Sequence, residues 1–400
     1  MQNDSEEKNK VLNPTVVKLG LVSLFADISS EMLYPITPIF LTTVLGASMT
    51  SIGLIEGVAE VIASTLKFYS GLWSDRMAKR KPFIVIGYFI SAIAKPLVGS
   101  AMSWPQVLVA RGFDRTGKGL RGAPRDAMLA EAVIEKIRGQ AYGWHRAMDT
   151  LGAAIGPLLA VVYLNFAGED LRPIYYLAVI PGLIAVGIVL SVKEKKMQTV
   201  SAVKIQFSSA DWRQFSKTFK VYLASWGIFS LANSSDVFLL LRARQSGLSI
   251  NSVIFMYCFY NLTYAGMSPY FGKLSDRIPR KNVLIFGLIV FCGVYAGFSL
   301  AEAEWLYWLL FGIYGLYMAA TDGAGKALAV DLVNPALKAS GLGALAFVSG
   351  IAGVFASVIA GALWDNFGSH WTFVYGVVGT LCSIFALSTL KRVQSGGELR

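Results

Sequence analysis

Gly71-Leu-Trp-Ser-Asp-Arg76 and Gly272-Lys-Leu-Ser-Asp-Arg277 are two copies of one motif, 201 residues apart in a chain of 400 residues. Each copy follows an apolar stretch and runs into a basic cluster, at Lys79–Lys81 in the first case and Arg280–Lys281 in the second. A motif that recurs at half the chain length indicates two halves built on the same plan. The sequence therefore predicts a duplicated architecture.

Apolar residues dominate the composition. Of the 400 residues, 54% are hydrophobic and 15% are charged, whereas a soluble domain carries about 25% charged residues. Apolar stretches recur at the length that crosses a bilayer as a helix, roughly 20 residues. These stretches lack the polar alternation of barrel strands, so we predict an all-α integral membrane protein with twelve transmembrane helices. The predicted spans, numbered 1 to 12, cover residues 15–43, 49–72, 82–102, 105–129, 138–167, 172–192, 219–243, 249–272, 281–300, 304–328, 337–363 and 371–390.

The longest polar segment divides these spans into two pseudo-symmetric bundles of six. We predict an N-terminal bundle at 1–192, a cytoplasmic linker at 193–218 and a C-terminal bundle at 219–400. Lys and Arg concentrate in the loops after spans 2, 4, 6, 8 and 12, which by the positive-inside rule places both termini in the cytoplasm and the chain in the inner membrane. The net charge of +11 follows from these loops, so we expect no nucleic-acid partner.

The sequence offers little to suggest an enzyme or a cofactor site. Cys258, Cys292 and Cys382 all lie in apolar runs and read as packing residues rather than as a disulfide or metal set. No Gly-x-Ser-x-Gly elbow, metal-spaced His/Cys cluster or phosphate-cradling loop is found, and Gly117-Lys-Gly119 lacks the context of a nucleotide site. The segment before residue 19 is polar and mixed in charge, so we expect span 1 to serve as the insertion signal.

The duplicated motif resembles the signature loop of the major facilitator superfamily, and nearly the whole chain resembles a poorly characterised prokaryotic subgroup of it, similar to proton-coupled exporters. The glycine usual after Asp-Arg-x is replaced by Ala78 and Pro279. The resemblance implies a monomeric transporter in the bilayer that binds a small-molecule substrate and alternates between inward-open and outward-open states. It also implies that the Asp75 carboxylate meets the N-terminus of span 11, near residues 336–341. Gating roles are implied for Gly71, Asp75, Arg76, Arg80, Gly272, Asp276, Arg277 and Arg280.

A second resemblance lies in span 5. Gly152-Ala-Ala-Ile-Gly156-Pro157 is similar to the Gly-x-x-x-Gly-Pro element of proton-coupled exporters. The same residues also suit a close helix–helix packing face with a proline bend. The two interpretations are compatible, and the resemblance favours efflux over uptake.

Charged residues in spans 1 and 4 are the main candidates for the transport site, because charges in hydrocarbon are costly and should face a cavity or one another. In span 1, Asp27 and Glu31 share a helix face, with Tyr34 and the helix-bending Pro35 just beyond. These two carboxylates are either proton carriers or charges neutralised by span 4. Span 4 contributes Arg111, Asp114, Arg115 and Lys118, with Arg121 nearer the cytoplasmic end and assigned to the gate.

The cationic face of span 4 has two interpretations. It is either an anion-binding surface, since Arg suits carboxylate or phosphate, or one side of an internal salt-bridge lattice with Asp27, Glu31 and Asp149. Span 5 adds His145, Arg146 and Asp149, and we count Asp149 as a further proton-coupling candidate. The C-terminal half carries fewer charges. Its substrate-binding candidates are Asn233 in span 7 and Asp322 in span 10, and its proton-coupling candidate is Asp236 in span 7. Asp322 and Lys326 are spaced to pair with each other.

These observations together predict a secondary active transporter, coupled to protons, that moves an organic anion, a zwitterion or an amphipathic drug, with efflux favoured. Two alternatives remain open from the sequence. One is an uptake symporter of the same fold, and the other is a membrane sensor or lipid-handling protein that does not transport.

Overall fold

The computed structural model describes residues 12–77, 79–134, 138–168, 170–194, 215–333 and 338–390. Throughout these ranges the regular structure is helical, which agrees with the predicted all-α class. In chain order the helices are α1 (Pro14–Glu31), α2 (Ile36–Thr43), α3 (Met49–Met77), α4 (Lys81–Gly99), α5 (Trp104–Glu131), α6 (Arg138–Ala167), α7 (Arg172–Leu177), α8 (Val179–Leu190), α9 (Lys217–Ala232), α10 (Val237–Gln245), α11 (Ile250–Arg277), α12 (Arg280–Leu300), α13 (Glu304–Asp331), α14 (Lys338–Phe367) and α15 (Ser369–Ser388).

The helices correspond to the twelve predicted spans, because three of the spans are interrupted. Span 1 comprises α1 and α2, and Pro35 lies at the break, where a proline cannot donate to the carbonyl four residues earlier. Span 6 comprises α7 and α8, with Pro181 in the first turn of α8. Span 7 comprises α9 and α10, which are separated by residues 233–236. The predicted twelve-span architecture is confirmed.

By length and composition alone, eight of the spans in the described ranges are apolar enough to cross a membrane: α3, α4, α6, α7–α8, α9–α10, α12, α14 and α15. Span 1, α5, α11 and α13 fall outside this set. Span 1 carries the charged residues Lys18, Asp27 and Glu31 in α1, and the other three carry more polar and aromatic side chains. Polar side chains in a membrane helix are expected where the helix faces a water-filled cavity.

Contacts between described residues separate into two compact units. One lies within Met1–Ala47 and Val58–Lys204, and the other within Ser48–Gly57 and Ile205–Arg400. The first turns of α3 therefore group with the second unit. Each unit contains its own buried cluster of apolar side chains, around Leu19 and Leu129 in the first and around Phe271 and Val283 in the second.

The two units repeat the same contacts at a constant offset of 200 residues. In the first unit, Arg80 pairs with Glu131 at 2.7 Å and the Lys81 ammonium donates to the Leu190 carbonyl at 2.7 Å. In the second unit, Arg280 pairs with Asp331 at 3.1 Å and the Lys281 ammonium donates to the Leu390 carbonyl at 2.5 Å. These contacts tie the start of α4 or α12 to the ends of the neighbouring helices, so the duplication seen in the sequence extends to individual side chains.

The Arg80–Glu131 pair should contribute more to stability than its counterpart. The Arg80 side chain is 8% exposed and that of Arg280 is 27% exposed, and Arg80 also donates to the Ser74 hydroxyl at 3.1 Å. We expect Glu131→Ala to lower the free energy of unfolding by about 1–3 kcal/mol, because it removes the acceptor of a buried guanidinium. The matched variant Asp331→Ala should cost about 0–1 kcal/mol. Thermal unfolding in detergent would measure both, and an equal loss in the two variants would contradict the assignment.

Candidate functional site

A polar cavity lies inside the first unit, with walls from α1, the break that follows it, α4, α5 and α7. Its empty volume is about 720 Å³, including the space that opens to solvent. The structure brings together here most of the charged residues singled out in spans 1 and 4. The lining residues are Asp27, Ser30, Glu31, Leu33, Tyr34, Thr37, Ala94, Lys95, Val98, Arg111, Asp114, Arg115, Lys118, Arg121 and Tyr175.

The charges in this lining do not cancel. Its acidic members are Asp27, Glu31 and Asp114, and its basic members are Lys95, Arg111, Arg115, Lys118 and Arg121. Five cations against three carboxylates give a formal charge of +2 when every group is ionised. A cavity with excess positive charge and low-dielectric walls attracts anions.

One guanidinium group of α5, that of Arg115, keeps a hydrogen-bond donor available to the cavity. Arg111 lies 4.0 Å from the Asp114 carboxylate, at the limit of an ion pair. The Arg115 Nε is buried and has no hydrogen-bond acceptor within the part of the chain that the structure describes. A buried donor without an acceptor is costly unless something else satisfies it, and an anion in the cavity would do so.

Glycines at the helix contacts let α5 pack closely against α3 and α4, and this packing positions the charged side chains of α5 in the cavity wall. A Cβ at Gly87 of α4 would lie 2.6 Å from the Gly117 carbonyl oxygen, and a Cβ at Gly119 would lie 2.6 Å from the Leu66 Cβ. The Ser91 hydroxyl donates to the Asp114 carbonyl at 3.0 Å across the α4–α5 contact. Gly117 and Gly119 therefore serve helix packing.

Arg121, which the sequence analysis assigned to the gate, is one of the residues that line the cavity. Its guanidinium donates to the Ser91 hydroxyl at 2.6 Å and stacks over the Tyr88 ring, 4.4 Å from the ring centroid. It is three residues beyond Lys118, so it continues the same face of α5.

Lys95 is a lining residue that the sequence reasoning missed. The residue is 6% exposed, and its ammonium donates to the Ser91 carbonyl at 3.2 Å. The available signal was a single charge in an otherwise apolar run of span 3, immediately before Pro96. An ionisable residue inside a membrane span is a functional candidate by default.

Asp27 connects the cavity to α6. Its carboxyl group lies beside that of Asp149, which also accepts a hydrogen bond from the Ser23 hydroxyl. Two ionised carboxylates at close range repel each other, so this pair is a position where a proton would be held. Asp149 lies 3.9 Å from His145 Nδ1 and 3.8 Å from Arg146, whose side chain is 66% exposed and does not line the cavity.

The glycines of the exporter-like element form the contact between α6 and α1. A Cβ at Gly152 would lie 2.8 Å from the Asp27 Cβ, and one at Gly156 would lie 2.8 Å from the Ile28 carbonyl oxygen. Pro157, which follows directly, is buried within α6. The element therefore sits directly behind the Asp27–Asp149 pair.

We expect Gly156→Leu to separate α6 from α1, because the added side chain would meet backbone atoms that cannot rotate away. Transport should be impaired, and stability should fall by about 1–3 kcal/mol as in other overpacked contacts. Gly187→Leu in α8 is the matched control, since a Cβ there meets nothing within 4 Å. Liposome flux and thermal unfolding of both variants test this, and full activity of Gly156→Leu would contradict it.

In the second unit, the span 7 and span 10 candidates lie in two polar groups. Asp236 accepts hydrogen bonds from Tyr260 at 3.1 Å and from Tyr314 at 2.6 Å. Asp322 pairs with Lys326 at 2.5 Å, as their spacing had indicated, and accepts from Tyr264 at 3.2 Å. Asn233 donates to the Tyr317 hydroxyl at 3.2 Å.

Comparison with known proteins identifies the fold and the family together. The sequence model described as Major Facilitator Superfamily matches residues 19–257 and 221–398. The chain belongs to the major facilitator superfamily. An uncharacterized transporter of this superfamily from Methanocaldococcus jannaschii is 35% identical over 385 residues, covering 95% of each chain. A probable 4-methylmuconolactone transporter of Cupriavidus pinatubonensis is 27% identical over 262 residues, which covers 61% of this chain and 59% of that one.

Solved superfamily structures share the whole architecture. A nucleoside transporter superposes with a TM-score of 0.80 at 13% identity, covering 94% of this chain and 100% of that chain. A bacterial homolog of the human lysosomal transporter Spinster superposes with a TM-score of 0.75 at 16% identity, covering 96% of this chain and 98% of that chain. The protein is therefore a multi-pass membrane transporter of this superfamily, a class that binds small-molecule substrates.

The superfamily signature loop is described only in part. The side chains of Asp75 and Asp276 and residues 334–337 lie outside the described residues, so the expected contact of Asp75 with span 11 remains a prediction. Gly71 packs near Ala123, whereas a Cβ at Gly272 would meet nothing within 4 Å. Arg76 and Arg277 are exposed, and Arg80 and Arg280 form the ion pairs described above.

Proposed function

We propose that this protein is a proton-coupled secondary transporter of a small organic anion, and that the anion binds in the first-unit cavity. The observation that carries the proposal is the formal charge of +2 in the lining, together with the buried Arg115 Nε that has no acceptor within the described ranges. The planar fork of arginine matches a carboxylate or phosphate group. Similarity to a probable 4-methylmuconolactone transporter further supports a small organic solute.

Coupling to protons is supported by the close approach of the Asp27 and Asp149 carboxyl groups. Asp27 belongs both to this pair and to the cavity lining, so loss or gain of its proton changes the charge that a bound substrate experiences. Alternating access then carries the loaded site from one side of the membrane to the other. Glu31 lines the same cavity one helical turn away and is the second carboxylate in position to take part.

Export is the direction supported by the Gly152–Pro157 element, through its resemblance to proton-coupled exporters and its position behind Asp27. One observation favours a second candidate, proton–anion symport into the cell. A proton on Asp27 makes the lining more positive and strengthens anion binding, which suits joint movement of the two ions.

We further propose a monomer in the inner membrane with both termini in the cytoplasm, supported by the basic residues in alternate loops.

The test is radiolabelled flux into liposomes that hold the purified protein and an imposed pH gradient. The panel comprises organic carboxylates, organic phosphates, zwitterions and cationic amphipathic drugs. Anion uptake into the liposomes that is stimulated by an acidic interior supports exchange against protons. Anion uptake that is stimulated by an acidic exterior supports symport. Selective flux of cationic or uncharged compounds would contradict the anion proposal. Binding without flux of any compound would instead favour the sensor alternative.

A further inference from the structure

The second unit contains a break in a membrane helix that the anion cavity does not explain. α9 ends at Ala232 and α10 begins at Val237, and no proline lies between them. Asn233 has an extended backbone, with φ of −86° and ψ of 89°. An unwound segment within a span exposes carbonyl groups, and the C-terminal end of the preceding half-helix carries partial negative charge. The break therefore exposes carbonyl oxygens at the end of α9, next to Asp236 at the N-cap of α10.

Asp236 adds a full negative charge at the same break. Tyr260 and Tyr314 each donate a hydrogen bond to its carboxylate. Within the described ranges no Lys, Arg or His forms an ion pair with Asp236, and the nearby Glu56 carboxylate repels it. A carboxylate in a membrane span without a counter-charge is unfavourable, so a positive ion is required to accompany it.

The orphan oxygen of Asn233 distinguishes between a proton and a metal ion. Its side-chain Oδ1 is buried and has no hydrogen-bond donor among the described residues. Its amide nitrogen donates to Tyr317, whose ring centroid lies 5.2 Å from that of Tyr314, so Asn233 and Asp236 belong to one network. A proton on Asp236 would neutralise the charge and leave the Asn233 oxygen unsatisfied. A metal ion bound by both side chains would remove both costs.

We propose that the α9–α10 break holds a monovalent metal cation of the sodium type, bound by the Asn233 Oδ1 and the Asp236 carboxylate. Oxygen atoms of carboxylates, amides and unwound backbone are the ligands that hard cations take, and broken membrane helices supply them at coupling-ion sites. The site is built from residues of the second unit, whereas the anion cavity is lined by residues of the first, and it would supply a second coupling ion. Its existence does not depend on the identity of the transported solute.

The experiment is equilibrium binding of radioactive sodium to the purified protein in choline buffer at alkaline pH, without substrate and without a pH gradient. Saturable binding of one ion per protein is expected, with competition by protons as the pH is lowered. Asp236→Asn and Asn233→Leu should each weaken sodium binding by about tenfold or more, since each removes a ligand oxygen. Asn233→Asp should retain binding, because it keeps an oxygen and adds charge.

The matched control is Asp322→Asn, which removes a carboxylate from the same unit that is already paired with Lys326. This variant should bind sodium as the wild type does. No saturable binding to the wild-type protein would overturn the proposal, as would undiminished binding to Asp236→Asn. If Asn233→Leu fails to fold, Asn233→Asp and the wild-type measurement still decide. Sodium binding without any anion flux would leave this inference standing and remove only the proposed function.

Discussion

The Asp27→Asn variant is expected to bind substrate and to lose its response to a pH gradient. Asn at this position has nearly the same size and can donate a hydrogen bond to the nearby Asp149 carboxylate, so the contact between α1 and α6 should survive while the titratable carboxyl group is lost. A gradient of one pH unit supplies about 1.4 kcal/mol per proton, so coupling to one proton allows about tenfold accumulation of solute. In the variant this accumulation should vanish, while exchange of labelled for unlabelled substrate continues.

Asp149→Asn should behave in the same way, because either member of the pair is needed to hold the proton between them. The matched control is Glu60→Gln on α3, where the carboxyl group is exposed and contacts only Ser64 among the described side chains. It should accumulate substrate normally. Gradient-driven accumulation in both Asp27→Asn and Asp149→Asn would exclude this pair as the proton site and would direct attention to Glu31 and Asp236.

The Arg115→Gln variant is expected to bind the transported anion about 10- to 100-fold more weakly, because a hydrogen bond to a charged group contributes about 1.5–3 kcal/mol. The buried Nε that now lacks an acceptor is the group that we expect the anion to engage. Arg115→Lys should recover part of the affinity, since it restores the charge without the planar fork. Calorimetric titration with the best-transported anion from the flux panel measures all three proteins.

The control for this series is Arg146→Gln, since the Arg146 side chain is 66% exposed and lies outside the cavity. The Arg146→Gln variant should bind the anion with unchanged affinity. That result would show that the weaker binding of Arg115→Gln is not caused by the change in net charge alone. Equal affinities of wild type and Arg115→Gln for every anion tested would be incompatible with an anion site at this position.

The fold was predictable because its signals are local. Most spans are apolar runs, the motif at Gly71 marks the end of the second span, and Pro35 indicates the break in the first. The break between α9 and α10 carries no such residue, since Asn233 and Ser234 are compatible with a helix. It depends on tertiary contacts, such as the bond from the Ser235 amide to the Ser357 hydroxyl at 3.3 Å.

The cavity was predictable only in outline. The sequence shows that the charges of spans 1 and 4 lie within membrane spans and must therefore avoid lipid, but it does not show what they contact. The structure brings most of them together in the cavity lining. Which carboxylate meets which partner depends on how three helices pack. The sequence offered Arg111 and its neighbours as partners for Asp27, whereas the structure also places its carboxyl group beside that of Asp149, where Gly152 lets α6 approach α1 closely. Lys95 was overlooked because a single charge leaves no periodic pattern.

The offset of 200 residues shows which features the two halves share and which differ between them. At this offset the pair Arg80–Glu131 recurs as Arg280–Asp331, but the five cations of the cavity do not recur. Their counterparts are Tyr295, Phe311, Gly315, Met318 and Thr321. The ion pair at the start of α4 and α12 is thus present in both halves, while the five cavity cations are present only in the first. Substitutions in one half can therefore change substrate specificity without altering the ion pairs and hydrogen bonds that both halves share.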